Sequence, residues 1–556
     1  MFDNTKPNII LISDYTYVPG IVKTLGPYKV AYILRQAGFE VAVIHHASIF
    51  SLSELRHMFA DLISDQTLFV GVSNFFYSHI SNFTIDPDTQ ALELDKPDPG
   101  AILPHGKKYN NEIREYIRKL NPNCKLVLGG ASADDLEHHT IFDYIVLGYA
   151  EISILNLAKH LSDSTIVLNK SYKSVYGPRI INDSKADGYE FSSSRMQYAD
   201  HDAILHNETL TLEVGRGCIF KCKFCAFPLN GKKKLDFIRS KECLLEELLD
   251  NYNRFGTTRY IICDDTFNDS VEKCKMFYEM SQQLPFKLEY WAYIRLDLMT
   301  AHPETIDYLF DSGLRGMLCG VETFNNKTAI AIGKGGNRDR QLATVKRIKE
   351  QWGDQISITA SFVFGLPYEP MDSLKQTQEF LLSDQNQFDS LVLHPLQIRP
   401  ANKNYAYEFL SDIDKNFEKY GYRDLGTDNS NTGMKGVAVD YEQGAMIWEN
   451  DFTNYLEVKK FVEDTRSLLR KSRLDHYRPM SHNTFYIAGD MVKFTDLQNI
   501  LNKDIDWYFL DKVKLIKAKQ YKKLLFKGCG ISPYVKTDTK PVVTYSEWVK
   551  AGNAVG

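Results

Sequence analysis

Twice along the chain, short apolar runs alternate with segments of helical period, and this alternation restricts the fold more than any other feature. The first series places "NIILIS" (Asn8–Ser13), "VAVIHH", "LFVGVS", "CKLVLGG" and "YIVLG" as strands, with "GPYKVAYILRQAGF", "SELRHMFADLIS" and "NNEIREYIRKLN" as helices between them. Strands apolar on both faces must be covered on both, which predicts a parallel sheet between helical layers. Residues 1–160 therefore read as one doubly wound α/β domain. Residues 74–108 interrupt it as a long loop over the strand C-termini, where such sheets bind ligands.

The second series runs over 207–400, with strands "TLTLEVG", "RYIICDD", "EYWAYIRLD", "GMLCGVE", "SITASFVFG" and "LVLHPLQIRP" and helical segments such as "KECLLEELLDNYNRFG" between them. Six βα units predict a complete or partial barrel with its chemistry at the strand C-termini. Residues 161–206, polar and weakly periodic, read as a linker. Residues 401–556 read as a mainly α-helical domain in which "NYLEVKKFVEDTRSLLRKSR" is an amphipathic helix. The first domain is Rossmann-like, but no G-x-G-x-x-G follows its first strand, which argues against NAD or FAD.

Composition narrows the class. The 556 residues suffice for several domains, and a net charge of -5 gives no general attraction to nucleic acid or anionic membranes. "GKKKLDFIR" (Gly231–Arg239) is a local basic stretch that reads as a solvated loop. No apolar run reaches the roughly 18 residues needed to span a bilayer, and the N-terminus lacks the pattern of a signal peptide, so a cytoplasmic protein is expected. Six of the nine cysteines (Cys124, Cys243, Cys263, Cys274, Cys319, Cys529) lie scattered among apolar neighbours and read as packed, reduced thiols.

The other three are clustered in "EVGRGCIFKCKFCAFP" (Glu213–Pro228), directly after the first barrel strand. Cys218, Cys222 and Cys225 are soft ligands, suited to zinc, copper(I) or an iron–sulfur cluster. Structural zinc wants a fourth Cys or His at close spacing, and the nearest upstream histidine, His206, lies beyond a predicted strand. A cubane on three thiolates leaves one iron for a small molecule. Phe224 offers an apolar face beside it.

C-x-x-x-C-x-aromatic-C after a first barrel strand resembles the signature of the radical SAM superfamily. Over 207–400 further strand ends are similar to that family's: "IICDDTF", "YIRLD", "CGVETFN" and "FVFGLPYEP", with Tyr368 in place of a glycine in the last. "IRPANKNY" departs from the sixth-strand pattern. The resemblance implies a partial (β/α)6 barrel, a [4Fe-4S] cluster on Cys218, Cys222 and Cys225, and reductive cleavage of S-adenosylmethionine to a 5′-deoxyadenosyl radical. It further implies that Asp264 and Asp265 hold the methionine amino end or substrate, and that Arg295 pairs with the methionine carboxylate. Glu322 would accept from the ribose, while Val363 and Gly365 line the adenine slot, with Phe224 beside the cluster. Each has a bland counterpart: Asp264 and Asp265 as helix caps, Arg295–Asp297 or Glu322 in rim ion pairs.

A Rossmann-like domain before such a barrel resembles the cobalamin-binding class of the superfamily. The matching stretches are Leu25–Val41, Val70–Phe75, "LVLGGASA" and "DYIVLGYAE". That resemblance implies a corrin held near Ser73, Gly129, Gly130, Gly148 and Glu151. "SDYTYVPG" (Ser13–Gly20) lacks the histidine of D-x-H-x-x-G, and His45 and His46 end the second strand outside that motif. The expected function is methyl transfer to an unactivated centre of a small-molecule or peptide substrate, with flavodoxin or ferredoxin as electron donor. The alternatives are a radical SAM enzyme whose first domain docks substrate or partner, and a non-enzymatic iron–sulfur protein.

Overall fold

The computed structural model describes residues 6–13, 22–47, 50, 52–73, 113–130, 141–168, 171–173, 177–183, 188–227, 229–399, 410–428, 445–472 and 507–531. The loop read over 74–108, most of "SDYTYVPG", the "ANKNY" of the sixth-strand turn, and "HYRPMSHNTFYIAG" (476–489) lie outside these residues.

Ile9–Ile12 contains no polar side chain, and its period of two sends alternate residues into opposite layers. Ile9 and Leu11 enter one core, while Ile10 and Ile12 enter a second on the other face. Val41–Ile44 and Tyr144–Gly148 divide in the same way. Each fully buried Ile or Val contributes about 1.5–3 kcal/mol, so both faces hold the sheet together. The strands are β1 (Ile9–Ile12), β2 (Val41–Ile44), β3 (Phe69–Ser73), β4 (Lys125–Gly130), β5 (Tyr144–Gly148), β6 (Ser171–Lys173) and β7 (Arg179–Asp183). Their order is β2-β1-β3-β4-β5-β7-β6, parallel apart from the β6–β7 pair. The order reverses at β1/β3, the kind of place where open α/β sheets take ligands.

The stretch expected as a linker is corrected by β6 and β7, which extend this sheet from β5. They were illegible because they are short and sit at the edge. The rest of that stretch packs tightly as well: Met196 and Tyr198 are buried, and Lys29 donates to Ser194 and to the Arg195 carbonyl.

The second sheet consists of β8 (Leu210–Leu212), β9 (Arg259–Ile262), β10 (Glu289–Ile294), β11 (Leu314–Glu322), β12 (Ser357–Phe364) and β13 (Ser390–Pro395). All pairs are parallel and each strand neighbours the next in sequence, so the sheet is an arc with β8 and β13 at its ends. Alternation again sorts the side chains. Tyr290, Ala292 and Ile294 pack outward with the helical layer, leaving Trp291 and Tyr293 on the concave face. Ser240, Ser270, Asn325 and Asn337 each cap a following helix by accepting from the third helical amide, worth about 1 kcal/mol apiece.

The C-terminal region is not helical throughout. Among its described residues is an antiparallel hairpin of β14 (Arg423–Asp428) and β15 (Ala445–Glu449). Helix Tyr455–Ser472, the amphipathic one read from sequence, packs on β13. Helix Trp507–Gly528 returns to the first domain, where Ala518, Tyr521 and Leu525 complete the second core. No helix among the described residues is long and apolar enough to cross a membrane.

Candidate active site at the barrel rim

The loop after β8 carries the three cysteines and is pinned on both sides. Gly217, at φ +70, lies so close to Leu229 that a Cβ there would stand 2.4 Å from its Cβ. Cys218 receives the Gly231 amide on its carbonyl at 2.7 Å, and the Cys225 amide donates to the Cys222 carbonyl at 3.1 Å. The Lys223 amide donates to Ile332, after β11, and its carbonyl accepts from Ile413. Cys218 is buried; Cys222 and Cys225 are half-buried. Among the described residues no three His, Cys, Asp or Glu side chains are gathered to hold a single metal ion. Three thiols on one pinned loop, without a fourth ligand beside them, fit a cubane that uses each on a separate iron. Burial raises the Cys225 thiol to about 11 and lifts Cys222 against the opposing charge of Arg295. Metal binding therefore has to displace protons.

Arg295 lies beside the loop. Its Nη1 donates to Cys222 Sγ at 3.4 Å, and its guanidinium carbon stands 3.7 Å from the centre of the Phe220 ring. Its other nitrogens form a fork on Asp297, with Nε to Oδ1 at 3.0 Å. Phe224 packs half-buried against the barrel core.

The two aspartates after β9 separate. Asp264 is fully buried, accepts from the Val214 amide at 2.8 Å and pairs with Lys273 at 2.8 Å. It ties β8 to the helix Val271–Ser281, so the structure gives it a tethering role in place of the catalytic one expected. Burial pulls Lys273 down, but the Asp264 and Asp269 carboxylates outweigh it and hold the ammonium above its usual value. Asp265 is half-buried and accepts from the Gly217 amide of the cysteine loop, and burial and the neighbouring Asp264 raise it to about 6.

Glu322, at φ +66, ends β11 and pairs with Lys334 at 3.0 Å; Lys334 also donates to the Gly320 carbonyl. Val363 is half-buried and pairs in register with His394. Gly365 is corrected: at φ +84 it lies under the C-terminal hairpin, where a Cβ would stand 2.5 Å from Trp448 Cη2. The Tyr422 hydroxyl donates to its carbonyl at 2.8 Å. Its lack of a side chain admits Trp448.

At the first domain, Ser73 pairs in register with Gly129 at the ends of β3 and β4, and Gly130 and Gly148 take φ +130 and +81. Among the described residues a Cβ at Gly129 would meet nothing closer than the Val146 carbonyl at 3.9 Å. Glu151 is corrected. It is buried and bonded to Arg216, which also holds Glu213 at 2.6 Å. The Arg216 guanidinium carbon lies 4.5 Å from the Tyr149 ring and 4.7 Å from Phe191. Arg216 thus joins the cysteine loop to the first domain. It was overlooked although it stands in "EVGRGC". His45 and His46, directly after β2, are fully buried against Tyr521 of helix Trp507–Gly528.

Sequence reasoning also missed Glu369, the acid of "LPYEP". It accepts from the Thr323 hydroxyl and from the Gly365 and Leu366 amides, and burial raises it to about 7. It joins the ends of β11 and β12. Cys263, expected to be a packed thiol, is exposed.

Three thiols thus stand at the C-terminal rim of a six-stranded parallel sheet that is joined to a doubly wound domain. Residues 212–381 match the radical SAM superfamily. The match lies within the barrel sheet and the helices between its strands. The ribosomal protein uS12 methylthiotransferase RimO of Sulfurihydrogenibium sp. (strain YO3AOP1) is 27% identical over 192 residues, 33% of this chain and 43% of that protein. The chain thus matches less than half of that relative. The radical S-adenosylmethionine methyltransferase TsrM of Kitasatospora setae, solved with cobalamin and a [4Fe-4S] cluster, superposes with a TM-score of 0.61 at 15% identity over 95% of this chain and 100% of that one. The cobalamin-dependent S-adenosylmethionine radical enzyme OxsB, with aqua-cobalamin, gives a TM-score of 0.55 at 14% identity over 94% and 80%. At these identities the likeness is one of fold.

Proposed function

We propose that the protein is a cobalamin-dependent radical SAM enzyme that transfers a methyl group to an unactivated centre of a small molecule. The observation that carries this is a link between two edges. The cysteine loop at the barrel rim is tied through Arg216 and Glu151 to the domain whose open glycine edge, Gly129–Gly130 and Gly148, suits a flat corrin. When bound, the cluster supplies an electron to S-adenosylmethionine and the corrin supplies a methyl carrier. Cys218, Cys222 and Cys225 would hold the cluster, with Arg295 holding the Cys222 thiolate by a charge-assisted bond. Asp265 and Glu322 stand at the rim for the amino and ribose groups of S-adenosylmethionine, and Val363 offers an apolar wall. An external one-electron donor such as flavodoxin or ferredoxin completes the system.

Anaerobic reconstitution with iron, sulfide, hydroxocobalamin and S-adenosylmethionine tests the reading. The expected products are 5′-deoxyadenosine and S-adenosylhomocysteine together, with a corrin absorbance spectrum that stays with the protein on gel filtration. 5′-Deoxyadenosine without retained corrin would favour the reading in which the first domain docks substrate, and neither product would overturn both.

A further inference from the structure

We infer that Arg295 and Asp297 together set the reduction potential of a cluster held on Cys218, Cys222 and Cys225, the arginine raising it and the aspartate offsetting part of the rise; this deepens, and rests on, the proposed radical SAM reading. Arg295 is held at both backbone and side chain. The Asn268 side chain clamps its backbone, accepting from the Arg295 amide at 2.8 Å and donating to its carbonyl at 3.0 Å. Asp297 accepts from Nε at 3.0 Å and from Nη2 at 2.5 Å. The ring centre of Phe220, a residue of the cysteine loop itself, lies 3.7 Å from the guanidinium carbon. Nη1 is thereby aimed at Cys222 Sγ, 3.4 Å away. Among the described residues, Cys222 is the one thiol of the three that accepts from a cationic side chain.

Arg295 is 5% exposed, so its charge is little screened by water. Loading one electron from an external donor onto a thiolate-held cluster oxidises the donor and adds negative charge that the sulfurs share, with no bond made or broken. An N–H donor and a positive charge at one of those sulfurs favour the reduced form, and hydrogen bonds to ligand sulfurs are among the levers that set such potentials. Asp297 shares the guanidinium and works in the opposite direction, by returning a negative charge to the same spot. The fork has a second consequence. Nε and Nη2 are engaged by Asp297 and Nη1 by sulfur, so each nitrogen of the guanidinium already has a partner and the side chain acts on the cluster ligand.

The test is a potentiometric titration with dithionite of the anaerobic protein reconstituted with iron and sulfide, read by the electron paramagnetic resonance of the reduced cluster. Arg295→Met is expected to make the potential more negative, lowering the ratio of reduced to oxidised cluster about tenfold at a fixed donor potential, a shift of about 59 mV for one electron. Asp297→Asn, which keeps the shape of the side chain, is expected to shift it in the positive direction. Iron content on the same samples shows whether the cluster is present, and where Arg295→Met loses iron, the Asp297→Asn shift carries the test. A potential unchanged in the iron-loaded variants, or moved the same way in both, would overturn the inference. So would an unchanged potential with weakened S-adenosylmethionine binding in Arg295→Met, which would return the arginine to the methionine carboxylate. Opposite shifts in a protein that forms no 5′-deoxyadenosine would leave the inference standing and sink the radical SAM reading, and a wild-type protein that takes up no iron would sink both.

Discussion

The two sheets present their C-terminal edges in opposite ways. The barrel rim is crowded with ion pairs: Glu213 with Arg216, Asp264 with Lys273, Arg295 with Asp297, Glu322 with Lys334. The edge of the first sheet carries glycines instead, with Gly130 and Gly148 at positive φ and nothing among the described residues within 3.9 Å of a Cβ at Gly129. One edge is preorganised by charges held in low dielectric, the other by space. A substitution should therefore act through electrostatics at the barrel and through sterics at the first sheet.

The most drastic way to break this contrast lies in the loop itself. Alanine at Cys218, Cys222 or Cys225 should abolish the cluster, read as loss of iron and of the reduced-cluster electron paramagnetic resonance signal after anaerobic reconstitution. Lys273→Met comes next. It leaves Asp264 buried without its cation and should cost about 3–5 kcal/mol, measured as a shift in the urea midpoint of the apoprotein. Gly129→Val probes the other edge. A Cβ fits there without a clash, so stability should hold while hydroxocobalamin affinity falls about tenfold in an absorbance titration.

A smaller effect separates charge from space by pH. Glu369 titrates at about 7 in the fold against 4.5 ordinarily, so the native state binds the extra proton between those values. Stability should fall as pH rises through that window, by up to about 1.4 kcal/mol per pH unit from this group. Glu369→Gln should flatten that part of the slope in urea titrations from pH 5 to 8. Least of all, Lys234→Ala removes an exposed pair with Glu272 and should change stability by less than about 1 kcal/mol. A larger loss would mean that the open lysine segment has a structural role.

Legibility followed the same division. Both sheets were readable because Ile9–Ile12 or Tyr290–Ile294 must hide apolar side chains in a fixed period, which is a local property of the chain. The cysteine loop was readable because ligand spacing is also local. The short strands Ser171–Lys173 and Arg179–Asp183 were not, since three to five residues carry little period. Nor were the partners of the rim residues. Lys273 and Lys334 were ordinary helix and loop lysines until the fold set them against Asp264 and Glu322. Gly365 and Glu151 kept the residue types their motifs suggested, and their neighbours gave them other work.

By itself the sequence determined that apolar runs would form two covered sheets, and that three thiols would stand on one short loop. Only the tertiary structure decided which charges meet, and that Arg216 ties that loop to the first domain. The reason is range: hydrophobic period and ligand spacing act along a few residues of chain. An ion pair such as Arg216–Glu151 joins residues 65 positions apart, and its strength depends on a dielectric that exists only after folding.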